Sequence, residues 1–209
     1  MIVLRADKTD LALNNKQRTS LAQHAGTARF AYNWGLSRKI ETFKSGQKTP
    51  TAIELHRELN SLKKTDFPWM YEVSKCAPQE ALRHLDKAFA NFFRRVATKR
   101  GSATALSTQK AGMFTGKVGF PKFNSKKPGQ GSFRLTGSIR IEVKRIKLPR
   151  LGWLRLKESG YLPTDGIKIL NATVSERAGR WFVSVQVEHE VVVEKARGEP
   201  CGVDLGINS

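Results

Sequence analysis

Acidic residues are scarce in this sequence: 18 Asp+Glu stand against 37 Lys+Arg in 209 residues, a formal net charge of +19. A charge that far from zero speaks of partners and not of fold. It points to phosphate polyanions, because Lys and Arg displace counterions condensed on nucleic acid. An anionic membrane surface is the competing partner. Cysteine is nearly absent as well. Cys76 and Cys201 lie far apart and form no CxxC. That leaves no disulfide framework and no zinc site, and it suits a reducing cytoplasm. Long apolar runs are missing: nothing approaches the ~18 residues of a membrane span, and no signal-peptide pattern is visible. We expect no membrane partner and no small-molecule substrate. What is present is enough apolar material, 39% of residues, to bury a core.

The charge is concentrated. Arg94 to Lys157 holds 17 basic residues and one acid, Glu142, which is +16 of the total in 64 residues. An ordinary solvated face intersperses acids with bases; this stretch does not.

Periodicity divides the chain. Met1–Ala6 reads as a short strand. Leu21, Ala25, Ala28, Tyr32, Leu36, Ile40 and Phe43 step by three or four, one face of a helix ended by Ser45-Gly46. Thr51 and Glu54 form a capping box for a second helix carrying Leu55, Leu59 and Leu62. Phe67-Pro68-Trp69 reads as a turn. Ser74 caps a third helix with the face Ala77, Ala81, Leu85, Ala88, Phe89, Phe92 and Val96, and Pro78 is tolerable in its first turn. Residues 99–131, rich in Gly, Ser, Thr, Lys and Pro, read as a basic loop. Ile139/Ile141/Val143, Ile146/Leu148, Trp153–Leu156, Ile167–Ser175 and Trp181/Val183/Val185/Val187 then alternate as strands. The expected class is α+β: a small β-barrel interrupted by a helical insertion, with one strand (1–13) before the helices (14–98) and the rest after them (132–197).

Few residues could carry chemistry. The last segment, Cys201 to Ser209, places one carboxylate, Asp204, in an apolar strand. It is either a turn or cap aspartate or a metal ligand; Mg²⁺ sites of nucleases gather several carboxylates. His24, His56, His84 and His189 have no ligand spacing, and no Ser-His-Asp or Cys-His arrangement emerges. Trp34, Trp69, Trp153 and Trp181 read as core or turn anchors. Phe120, Phe123 and Phe133 sit among Lys117, Lys122, Lys126, Lys127 and Arg134. They suit base stacking with phosphate contact, or a turn that pins a loop. Further along, Arg140, Lys144, Arg145, Lys147 and Arg150 continue the basic track.

Six segments, in order, resemble the amino-terminal half of TnpB, also called OrfB, the transposon-encoded family related to type V CRISPR effectors. They are Ala28–Trp34, Glu58–Lys64, Glu80–Phe93, Gly119–Phe123, Ile146–Gly152 and Gly202–Ile207. The resemblance implies an OB-like wedge barrel split by a helical, helix-turn-helix-like recognition domain. An RNase H-like RuvC nuclease follows, of which 198–209 would be the first strand. It implies guide RNA and double-stranded target DNA as partners, with RNA along the basic stretch 94–157 and the barrel, the named contacts running from Lys117 to Arg150, and a prokaryotic, nucleoid-associated setting. It makes Asp204 the first RuvC carboxylate, binding Mg²⁺ only in a longer protein. It also places Lys75 and Gln79, four apart on one helix face, against the DNA beside the target; the bland alternative is two solvated side chains. Because the sequence stops at Ser209, we expect a truncated nuclease that does not cleave. The rival expectations are a nuclease-dead repressor of the same family and a structural RNA-binding protein.

Overall fold

A computed structural model describes residues 2–99, 119–127 and 129–190. Strand β1 (Ile2–Ala12) is followed by three helices: α1 (Asn15–Lys44), α2 (Ala52–Leu62) and α3 (Cys76–Lys99). Six more strands come after them: β2 (Ser132–Leu135), β3 (Arg140–Glu142), β4 (Arg145–Leu148), β5 (Gly152–Leu156), β6 (Ile167–Arg177) and β7 (Arg180–Glu190). All pairings are antiparallel, and the strand order is β2-β6-β7-β1-β5-β4-β3. The protein is therefore α+β, with the helices inserted between the central strand and the strands on both sides of it. No pairing of β2 with β3 closes the sheet among the described residues.

Each element follows from local chemistry. Asn14 caps α1 through a capping box with Gln17, and Thr51 does the same for α2 with Glu54. Ser74 Oγ accepts from the Cys76 N–H at the start of α3. The helix α1 stops where Ser45 leads into Gly46, whose φ of 72° a side chain disfavours. Gly35 is needed for a different reason. A Cβ there would stand 2.6 Å from Leu82 Cδ2 and 3.1 Å from Leu85 Cδ2, so any side chain would force these buried leucines to shift in the α1–α3 contact. In the sheet, Trp181, Val183, Val185 and Val187 of β7 point inward with Ala172 and Val174 of β6, as do Ile146, Leu148, Leu154 and Leu156 of β4 and β5.

Three expectations need correction. The first strand runs on to Ala12, because its inward positions beyond Arg5 are Asp7, Thr9 and Leu11, and the two polar residues hide the period. Val143 is 54% exposed: Glu142 pairs with Arg145, which leaves Val143-Lys144 as a two-residue turn. Phe67-Pro68-Trp69 enters a 3-10 helix, Pro68–Glu72, with proline at its first position, where no N–H is needed. The longer strand expected at Ile167–Ser175 is β6, and both it and β7 have 11 residues. Segment 198–209, with Asp204, lies outside the described residues, as does Lys117.

Candidate nucleic-acid interface

Three basic surfaces are built on this frame. The first is a groove of about 510 Å³ where α1 and α3 meet β2, β6 and the segment 119–127. That segment is fastened to α1 by one side chain: Asn33 Nδ2 donates to the Asn124 carbonyl at 3.0 Å, and its Oδ1 accepts from the Asn124 N–H at 2.8 Å. The clamp leaves Lys122, Phe123, Lys126 and Lys127 exposed. Arg29, Tyr32, His84 and Arg134 line the walls. Arg134 is not open to solvent like the lysines. Its guanidinium lies 3.8 Å from Glu80 and 3.5 Å from Gln186 Oε1. Burial lowers the His84 pKa and Arg134 lowers it further, while Glu80 opposes both.

The three phenylalanines part company. Phe133 is 3% exposed and packs against the His24 ring at 5.2 Å, the two planes tilted by 35°. Phe120 packs edge-on against Phe89 and Phe92. Phe123 alone is presented to solvent. The pinned-loop reading holds for Phe120 and a core reading for Phe133, because an aromatic among lysines is recruited inward wherever a helix face offers it apolar neighbours.

The second surface is the outer face of β3-β4-β5. Registry sets Arg140 beside Lys147 and Lys147 beside Trp153 in one row, with Glu142 beside Arg145 and Arg145 beside Arg155 in the next. The inward partners Ile146, Leu154 and Leu148 are buried, so the pleat turns the basic residues outward. Four cations thus share a face with one acid. Arg145 pairs with Glu142 and lies 4.4 Å over the Trp153 ring, and Lys147 stands 5.9 Å from it. Lys144 sits in the exposed turn at the end of this face. Of the other tryptophans, Trp181 is core, Trp34 packs against the core, and Trp69 is 41% exposed beside Phe30 and Phe67.

The third surface is the start of α3. Lys75 is exposed and Gln79 half-buried, and the Gln79 N–H donates to the Lys75 carbonyl at 3.4 Å, so they stand one helical turn apart. Their position is set by His24, which is fully buried. The Ser20 carbonyl can only accept, so His24 Nδ1 carries the proton it meets at 2.7 Å. Nε2 is then free to accept the Ser74 N–H at 3.0 Å. Burial depresses the His24 pKa, in keeping with a ring that must stay neutral to accept. The neighbour of Lys75 is in this way tied to the middle of α1.

Sequence reasoning missed several of these residues. Arg155 and Trp153 were legible in the alternation Trp153-Leu154-Arg155-Leu156, had the outward positions been read along with the inward ones. Asn33 lies inside Ala28–Trp34, but a contact with a residue 91 positions away leaves no local signal. The mutual placement of Asn33 and Asn124 depends on the tertiary fold alone.

The chain is similar to several known proteins. A profile of the OrfB/IS605 helix-turn-helix domain matches residues 1–48. In this chain that stretch holds β1 and the single continuous helix α1, and the next helix begins only at Ala52. A protein of Escherichia coli (strain K12) named as the RNA-guided DNA endonuclease InsQ is 31% identical over 98% of this chain and 46% of its own length. One from Streptomyces pristinaespiralis, also named as an RNA-guided DNA endonuclease, is 29% identical over 99% of this chain and 47% of its own. A third, from Mycobacterium tuberculosis, is 27% identical over 91% of this chain and 44% of its own. The chain thus spans about half the length of the curated relatives it matches, and by the profile and these relatives together it belongs to the TnpB/OrfB family.

Proposed function

We propose that this chain is the nucleic-acid-binding part of an RNA-guided DNA endonuclease of the TnpB type. Guide RNA lies along the groove behind Asn33 and the outer face of β3-β4-β5. Duplex DNA beside the target meets Lys75 and Gln79. The seven strands serve as an OB-like wedge domain around which the helices are inserted, in a prokaryotic cytoplasm at the nucleoid. The observation that carries the reading is the outer sheet face, where Arg140, Arg145, Lys147 and Arg155 surround Trp153 with Glu142 as the sole acid. Such a face tracks a phosphate backbone and leaves sequence to base pairing. Gln can bond an adenine edge bidentately and Lys can meet guanine or phosphate, so the α3 pair suits duplex reading.

Binding of structured RNA should be steeply salt-dependent. With about six phosphate contacts, affinity should fall roughly a thousandfold between about 50 and 200 mM salt. A change below about threefold in a fluorescence titration would refute backbone tracking. Asp204 is one carboxylate, and a two-metal site needs several. Mg²⁺ chemistry therefore belongs to a protein in which further acids join it. Mg²⁺-dependent nicking by these 209 residues, abolished in Asp204→Ala, would overturn that division.

A further inference from the structure

Among the basic side chains outside the three surfaces, Lys63 differs from those that pair with acids. Lys63 follows α2, is 7% exposed, and has neither an acidic partner nor a hydrogen-bond acceptor among the described residues. A packed ammonium without a partner is unfavourable. Its surroundings make it more so: burial lowers its pKa, and Lys75 lowers it again. The stem is packed away, yet Nζ is not among the sealed, unpartnered atoms; it opens on a cleft of about 720 Å³.

The cleft gathers positive potential from several elements. Lys75 and Ser74 bring the first turn of α3, whose 24 residues direct a partial positive charge there. His56 also lines the cleft, its pKa lowered by burial and then by the neighbouring positive charges of Lys63, Arg83 and Lys75. Arg150 comes from the β4–β5 turn with φ of 68°, a left-handed conformation that a side chain disfavours, and it donates to the Tyr71 carbonyl at 3.2 Å. No carboxylate lines the cleft among the described residues. An unpartnered cation, a strained arginine and a helix N-terminus converging without an acid form a site built for an anion.

We propose that this cleft binds a phosphodiester of the nucleic-acid backbone, with Lys63 as the cation that meets its non-bridging oxygens. The assignment rests on the nucleic-acid reading above and adds a contact that fixes register beside the Lys75–Gln79 pair. Phosphate contacts position a protein, and base contacts then specify.

The test uses the 209-residue chain with Lys63→Met, which keeps length and packing, and Lys63→Arg, which keeps charge. Binding is measured against salt with a duplex DNA and with a single-stranded RNA of equal length, which tells whose backbone occupies the site. Lys63→Met should bind one of them about tenfold more weakly, with a log–log salt slope shallower by about one, equally for every base sequence. Lys63→Arg should retain most of the affinity. Its melting temperature should hold or rise in Lys63→Met, which a merely structural lysine would not allow. Unchanged affinity and slope on both polymers would overturn the site while leaving the nucleic-acid reading intact. A third arm separates the two ideas further. Inorganic phosphate should raise the parent's melting temperature more than chloride at equal ionic strength, and not that of Lys63→Met. If neither polymer binds the parent but phosphate does so through Lys63, the anion site stands and the nucleic-acid reading falls. If phosphate acts alike on both proteins, the site falls.

Discussion

Replacing His24 by Phe tests how the start of α3 is held. The ring is fully buried, so no water can take over its bonds. Phe keeps the ring contact with Phe133 but leaves the Ser74 N–H without an acceptor, a cost of about 1–3 kcal/mol. For a chain of this size each kcal/mol is worth roughly 2–4 °C in melting temperature. The pH dependence is sharper. Burial lowers the folded pKa below the ordinary value of about 6.5, so the unfolded chain takes a proton first as pH falls. Stability from the neutral ring is therefore full above about 6.5 and is lost as pH drops towards the folded pKa. His24→Phe lacks this component, whereas His56 and His84 titrate in both proteins and cancel. Melting curves at pH 7.5 and 5.5 should show the parent losing more than the variant. Equal losses would mean that His24 is not the neutral acceptor its two contacts require.

Asn33→Ala removes both hydrogen bonds to Asn124, so the segment bearing Lys122 to Lys127 loses its anchor. RNA affinity should fall several-fold with only a small change in melting temperature, and an unchanged affinity measured by filter binding would rule out the clamp. In a carboxy-terminally completed protein with its guide RNA, Gln79→Ala should relax preference at one base of the flanking DNA, at about 1–3 kcal/mol. Lys75→Ala should weaken binding more evenly across sequences; a randomised flanking library that leaves both variants indistinguishable from the parent would refute the pair.

The helices were legible because their signals are local. The Thr51/Glu54 box, the Ser45-Gly46 stop and the Ser74 cap each act within one turn of chain. The class and the strand–helices–strands order followed from those signals and from the alternation of β6 and β7. The first strand was under-read because Asp7 and Thr9 occupy inward positions, and polar inward residues erase the two-residue period. The basic track was visible in composition, but which cations face solvent was not. Arg134 is turned to Glu80 by the docking of β2 against α3, and Arg150 to Tyr71 by a turn conformation. Lys63 went unremarked because nothing in a sequence tells an unpartnered lysine from a paired one.

The place of β1 in the sheet also bears on how the chain is made. Its residues pair with β5 and β7, the outermost match being Ile2 with Glu190. At about 5–20 residues per second of synthesis, the first strand waits on the order of ten seconds or more before its principal partner emerges. The three helices pack mainly on one another, α1 against α3 above all, and can form meanwhile. Until then β1 exposes both edges, with Ile2, Val3 and Leu4 at its tip. Lys8 and the acids Asp7 and Asp10 supply charge against premature pairing. Nascent chains arrested well before residue 190 should therefore be the species most prone to aggregate, and the closing of the sheet the slow step of folding.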